Sequence, residues 1–384
     1  MVNAAFEQIK AFAATADDSD RRNLITSLRG LASSFEDPME IIHRLGCGTL
    51  GSATVEIGLD LGLFKYLADA KSPLGVSQLA EQTGADAPLL TRIIRYLAAT
   101  NVIDETGPGQ FAANSVTKTL ASDLGVAGVY HYLKTASPTH SVLPSFLKKT
   151  NYKNPSDDSH APFQDAFNTG LHPYAWFSSH PENLKYFNDL MALRRKSNES
   201  WLSVYPVEEA TKGWSADNAV YVNIGGSIGH QCAQFKETYP HVPGRVILQD
   251  LAHSIAQALP TAGVENMVHN FWDPQPVQGA KLYYMRAVLH NHPDHKVLKL
   301  LRLTKEAMGP DSILLIDEMI LPETGVKADV TTLDLTMMSA FASAERTEKD
   351  WTALFEQAGL RLVKTYAYNK AQYESVMDVR LLEG

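Results

Sequence analysis

AVYVNIGGSIGHQCAQFKETYPHVPGRVILQDL, residues 219–251, sets the frame for the whole chain. Ala219 to Ile224 is a short run rich in Val and Ile, the pattern of a parallel strand buried on both faces. It leads into Gly225-Gly226-Ser227-Ile228-Gly229 and then into a helical pattern from His230 to Tyr239. Glycines at such a turn let the backbone approach a ligand without Cβ interference, and the helix start beyond it presents free N–H groups. A second apolar run, Arg245 to Leu248, ends at Gln249-Asp250. A carboxylate there, roughly twenty residues past the glycines, is placed to accept hydrogen bonds from a ribose diol. Strand, glycine turn, helix, strand and terminal Asp in this order predict a nucleoside-cofactor site.

The pattern continues to the end of the chain. Strand-like runs at 281–289 and 312–316 flank a helical stretch at 296–308 with Val297, Leu300 and Leu301 inward. Residues 349–358 put Trp351, Leu354, Phe355 and Ala358 on one helical side before Gly359, and strands close the chain at 360–368 and 375–382. Repeated βα units predict an α/β domain whose mostly parallel sheet carries helices on both faces. Upstream, helical spacing runs from Phe6 to Leu31, over 39–67, over 72–83 and from Ala87-Pro88 to Leu97. Two β-like pieces around Gly107-Pro108-Gly109 follow, which is a winged-helix order. Residues 125–205 read as mostly helical and rich in aromatics, with a polar loop at 149–160. Three regions are expected: a helical, winged-helix dimerisation domain (1–124), a helical linker with pocket walls (125–205) and a cofactor-binding catalytic domain (206–384).

A winged helix invites a DNA-binding reading, but the charges oppose it. The formal net charge is −9 over 384 residues, and 81–123 sets Glu81, Asp86, Asp104, Glu105 and Asp123 against only Arg92, Arg95 and Lys118. Neutralising phosphates needs the opposite balance, so neither nucleic acid nor a regulatory DNA role is expected. The two cysteines, Cys47 and Cys232, make no disulfide framework and no metal spacing, which fits a reducing compartment. The first residues carry no long apolar core, and no run approaches the roughly eighteen residues of a membrane span. A cytoplasmic protein is expected, with no membrane partner and no metal.

Three segments should meet where open α/β sheets bind ligands, at the carboxyl ends of the strands. They are Arg286 to Asp294 (RAVLHNHPD), Leu314 to Glu318 (LLIDE) and Glu345-Arg346-Thr347. His290, just past a buried strand, can act as a general base near its own pKa, and a carboxylate accepting its N–H would fix its tautomer. Each residue alone has a plainer reading: a capping or core histidine, and solvated charges at Glu318 and Glu345.

Taken together, NIGGSIG, ILQDL, NFWDPQPVQGAKLYYMRAVLHNHPD, LLIDEMILPE and SAERTEKDW, in this order behind a winged-helix region, resemble one family over nearly the whole chain. It is the S-adenosylmethionine (SAM)-dependent O-methyltransferases of the plant caffeate type, in their fungal secondary-metabolism branch. The resemblance implies a Rossmann-like class I methyltransferase domain, SAM as cofactor with S-adenosylhomocysteine as product, and a homodimer through the N-terminal domain. It implies methyl transfer to a hydroxyl of a small aromatic or polyketide-type metabolite. His290 would be the base, flanked by Glu318 and Glu345. Gly225, Gly226 and Gly229 would approach the methionine part of the cofactor and Asp250 the ribose. Leu251, Asn270 and Phe271 would lie by the adenine, with Arg286 as a nearby basic residue. Met191 and Met337 or Met338 match methionines lining a flat phenolic pocket, and His131, Phe167, Trp176, Phe187 and His292 are further candidates for its walls.

Three positions depart from the family pattern: Asn223 and Asn270 stand where acids are usual, and His292 where Trp is common. The amides lose charge but still hydrogen-bond, so cofactor binding is expected to persist, somewhat weakened. The family also includes fungal pericyclases that keep SAM bound while they dehydrate and close rings on polyketide–amino-acid hybrids. Retention of His290, Glu318 and Glu345 favours methyl transfer, and the altered neighbours favour that alternative.

Overall fold

The computed structural model describes residues 2–194 and 200–382. The chain divides into two compact units, one of residues 1–22, 145–170 and 198–384, the other of 23–144 and 171–197.

The first unit is built on one large sheet. Its strands are β1 (Ala219–Ile224), β2 (Arg245–Asp250), β3 (Val264–Val268), β4 (Leu282–Arg286), β5 (Ile313–Leu321), β6 (Arg346–Thr347), β7 (Leu360–Asn369) and β8 (Glu374–Leu381). Their order is β7-β8-β5-β4-β1-β2-β3, with short β6 paired to the end of β5. β5, β4, β1, β2 and β3 run parallel, and β8 lies antiparallel between β5 and β7. All six residues of β1 are buried, as a strand covered on both faces requires.

Alternation divides the core between the two faces. Val222, Ile224, Ile247, Tyr283, Met285, Leu314 and Ile316 pack with Val297, Leu300 and Leu301 of the helix Asp294–Ala307 and with Trp351, Leu354 and Phe355 of Glu348–Ala358. Tyr221, Val246, Leu248, Leu282, Tyr284 and Leu315 pack on the other face with Trp201, Cys232 and Phe235. Each such side chain fully buried contributes about 1.5–3 kcal/mol. This is the α/β architecture with a mostly parallel sheet that the βα alternation predicts.

The second unit holds the helices Gly48–Asp60, Leu63–Asp69, Val76–Thr83 and Ala87–Ala99 and a hairpin of Asp104–Gly107 and Gln110–Ala112 joined by Leu74–Gly75. Leu63, Phe64, Leu79, Leu90, Ile94, Leu97 and Phe111 form its core. The helical spacing from Phe6 to Leu31 lies on two helices, Val2–Thr15, which belongs to the first unit, and Asp18–Phe35. The break falls where the Asp17 side chain accepts the Asp20 N–H at 2.8 Å, an N-cap for the second helix. Asp18–Phe35 and Pro38–Gly46 have no buried residue. No helix among the described residues is long and apolar enough to cross a membrane.

Candidate active site

β1 and β2 end side by side, with Ile224 opposite Gln249, and β4 and β5 pair Arg286 with Asp317. Three backbone positions of the turn after β1 are left-handed: Gly225 (φ +68°), Ser227 (φ +55°) and Gly229 (φ +93°). That conformation costs a non-glycine residue about 1–2 kcal/mol, and at Ser227 it is held by Asp250. One Asp250 oxygen accepts the Ser227 N–H at 2.8 Å and the other accepts the Leu251 N–H at 2.7 Å. The carboxylate expected at a ribose therefore also shapes the turn. Packing against the turn is tight: a Cβ on Gly226 would lie 2.5 Å from both Asn223 Nδ2 and Leu248 Cδ1, and one on Gly229 2.9 Å from Leu248. Glycine here provides a close backbone cradle, which fits the methionine end of a nucleoside cofactor.

Asn223 is 1% exposed beneath this turn, and its Nδ2 makes no hydrogen bond. Exposed Leu251 follows β2, and the His269 N–H donates to the Asp250 carbonyl at 2.9 Å, which brings 269–272 alongside. The Asn270 side chain accepts the Trp272 N–H at 3.1 Å. Phe271 lies within 3.6 Å of where a Gly225 Cβ would stand.

The next strand end carries His290. β4 stops at Arg286 because Ala287 turns left-handed (φ +50°) and donates its N–H to the Asp317 carbonyl. The kink aims three successive N–H groups, of Val288, Leu289 and His290, at Glu318 Oε1, at 3.1, 2.8 and 3.3 Å. Glycine suits such a φ better than alanine, and Ala287 is exposed. Ala287→Gly is expected to retain turnover and change stability by less than about 1 kcal/mol. A thermal melt showing a large loss would place the constraint in the methyl group instead.

His290 Nδ1 lies 2.8 Å from Glu345 Oε1, whose side chain is 1% exposed. The Glu345 N–H donates in turn to Asp334 at 2.8 Å. A carboxylate partner assigns the proton to Nδ1 and leaves Nε2 as the free lone pair. Burial by itself would lower the His290 pKa, but Glu318 and Glu345 outweigh it and raise the group to about 9. Burial lifts Glu318 to about 7, opposed by His290 and by the donated N–H groups. Glu318 thus shapes the backbone turn and acts on the ring by charge, while Glu345 bonds it.

Arg286 faces Asp317 at 3.7 Å and Glu374 at 3.5 Å and lies over the Tyr368 ring. Asp317 accepts the hydroxyls of Tyr284 and Tyr368. Burial opposes the guanidinium charge, and Asp317 and its neighbours outweigh that and hold it charged.

The helix Ala328–Phe341 packs against the His290 turn and against the helix Pro162–Phe167. It brings buried Met337 and half-buried Met338 and Phe167 to this end of the unit. His292 is 7% exposed and edge-on to Trp272 and Phe271, within the wall between the turn and the 269–272 segment. His131, Trp176, Phe187 and Met191 belong to the other unit. There His131 and Phe187 meet at 5.5 Å, Phe187 stacks on Phe177, and Trp176 packs edge-on to Phe177. Met191 is half-buried on Pro181–Arg194, the helix that packs on Asp123–His131. Burial lowers the His131 pKa to about 4, and its Nδ1 is buried without a hydrogen bond. Among the described residues no group of three His, Cys, Asp or Glu is arranged to hold a metal ion. The sequence did not single out Asp317, Asp334 or Arg346 as site residues. Asp317 and Arg346 carried a signal, their places beside Glu318 and Glu345 in the quoted segments.

Two family models match this chain: an O-methyltransferase domain over residues 152–361 and an O-methyltransferase dimerisation domain over 44–123. The chain belongs to the O-methyltransferase family. Enzymes of this family use S-adenosylmethionine. The chain is 36% identical to a demethylsterigmatocystin 6-O-methyltransferase of Aspergillus parasiticus over 97% of both chains. Two solved structures, described as "A Pericyclic Reaction enzyme" and as LepI in complex with SAM, each match with a TM-score of 0.89 at 36% identity over 99% of both chains.

Proposed function

We propose that this enzyme transfers the methyl group of S-adenosylmethionine to a hydroxyl of a small aromatic or polyketide-type metabolite, with His290 as the general base. The observation that carries the reading is the 2.8 Å contact between His290 Nδ1 and buried Glu345, which leaves Nε2 to take the hydroxyl proton. When bound, the cofactor supplies an already activated sulfonium methyl. The protein has to bring the acceptor oxygen into line and remove its proton. Glu345 fixes the tautomer and stabilises the imidazolium that forms, and Glu318 holds the turn that presents the ring. Gly225, Gly226, Gly229 and Asp250 hold the methionine and ribose ends, with Leu251, Asn270 and Phe271 by the adenine and Arg286 beside them. Met337, Met338, Phe167 and His292 supply apolar and hydrogen-bonding walls.

In this reading residues 1–124 carry dimerisation, 125–205 contribute to the pocket and 206–384 hold the cofactor. The dimerisation-domain match and the exposed Phe35 (78%), Ile42 (57%) and Leu45 (70%) support a homodimer.

The direct test is mass spectrometry after incubation with methyl-deuterated S-adenosylmethionine and phenolic polyketide acceptors, demethylsterigmatocystin among them. An acceptor carrying the labelled methyl, with S-adenosylhomocysteine formed in step, is the expected result. A product of unchanged mass, or one lacking only water, with the label still on the cofactor would favour ring formation. That second reading is supported by the likeness to the pericyclic enzyme and by His131, a neutral hydrogen-bonding group in an aromatic setting.

A pH dependence follows from His290. Only the neutral imidazole can accept the proton, and the pKa is raised to about 9. The free enzyme's kcat/KM should therefore climb by up to about tenfold per unit from neutral pH and level off near the raised pKa. Glu345→Gln removes one of the negative charges that raises it, so the variant's profile should level off at a lower pH and at a lower rate. A midpoint unmoved by that substitution, read from S-adenosylhomocysteine release against pH, would remove Glu345 from this role.

A further inference from the structure

Arg346 is 3% exposed, yet it is a guanidinium with its donors engaged. Nη2 donates to Asp294 Oδ1 at 2.7 Å and to the His292 carbonyl at 3.0 Å, Nε donates to the same Asp294 oxygen at 3.1 Å, and Nη1 donates to the Ala344 carbonyl at 3.2 Å. The guanidinium also stacks over Trp351 at 5.1 Å. Burying such a charge is costly unless its hydrogen bonds are met, and an apolar side chain of similar volume often packs equally well. The contacts point to a role beyond filling space. Arg346 follows Glu345, and its backbone pairs with Ile320, two residues past Glu318. Its side chain grips His292 and Asp294, just past His290 in the chain, whereas Glu318 holds the N–H groups of Val288, Leu289 and His290. One short segment therefore bonds the imidazole and holds the backbone that follows it.

We propose that Arg346 is a positioning residue: by tying His292 and Asp294 to the Glu345 segment it sets the contact between Glu345 and His290, and so the direction in which Nε2 faces. Its consequence for turnover rests on His290 being the base. Its geometric content does not.

The test needs no acceptor substrate. The full-length protein, labelled with 15N-histidine and saturated with S-adenosylhomocysteine, is followed by NMR, with the His290 Nδ1–H resonance assigned by its loss in His290→Gln. In the native protein this proton should be protected from solvent exchange; its absence would overturn the contact on which the proposal stands. Arg346→Lys should speed its exchange by on the order of tenfold or more, the scale of one charged hydrogen bond. Calorimetric affinity for S-adenosylhomocysteine should stay within about twofold, because none of the tethered groups belongs to the glycine turn. Where Arg346→Lys folds, its exchange rate decides, and a native rate overturns the proposal. Where it does not fold, Asp294→Ala decides by the same criterion, since the Asp294 side chain is 69% exposed and Arg346 keeps its bonds to the His292 and Ala344 carbonyls. Full methyl transfer by His290→Ala would remove the base and leave this exchange measurement standing.

Discussion

His290→Ala is expected to slow methyl transfer by about 10²–10⁴-fold while S-adenosylhomocysteine affinity stays within about twofold. The size of the loss is that of a positioned base, and the split follows from geometry. The imidazole contacts Glu345 through Nδ1, whereas the turn around it is held by backbone N–H groups on Glu318 that an alanine at 290 retains. The glycine turn and Asp250 bond each other and not the ring. The variant leaves the buried Glu345 carboxylate without its partner, a penalty of a few kcal/mol at most. Some thermal destabilisation should therefore accompany the kinetic loss. Turnover near the native rate would show that another group removes the proton.

The second large effect is at Gly226. A Cβ there would meet Asn223 Nδ2 at 2.5 Å, Asn223 Cγ at 2.6 Å and Leu248 Cδ1 at 2.5 Å. Asn223 and Leu248 are each 1% exposed, enclosed by the ends of β1 and β2, and cannot swing away. Gly226→Ala must lift the turn off the sheet at a strain of about 1–3 kcal/mol. The Gly226 N–H to Gln249 and Ser227 N–H to Asp250 bonds stretch with it. Affinity for S-adenosylhomocysteine should fall by about tenfold or more, since about 1.4 kcal/mol is a factor of ten. Calorimetry checks this directly, and native affinity would mean that the turn is not the cofactor's cradle.

Much of this was legible in local pattern. The apolar run of β1, the glycine turn, the following helix and terminal Asp250 stand where the spacing predicts, and the helix around Trp351 ends at Gly359 in a left-handed cap. These depend on period, on burial and on the backbone freedom of glycine, all encoded within a few neighbouring residues. The run at 281–289 reads as one strand, but the strand ends at Arg286 and His290 sits in a tight turn. Nothing in RAVLHN announces a left-handed alanine. Likewise the run at 312–316 extends through Leu321, because its later residues find partners on β8 and β6. Glu318 is therefore inside a strand and not beyond one.

The sequence by itself determined the architecture, the family to which this chain belongs and the residue types available for acid–base chemistry, because periodicity and short motifs are local. Only the tertiary structure decided which carboxylate does what. Glu318 accepts from backbone groups some 28–30 positions away, and Glu345 reaches His290 across 55 positions. Arg346 grips a turn 52–54 positions before it. Such pairings are set by strand register and by the burial of charge that must find a partner, and both come into being only when distant segments pack together.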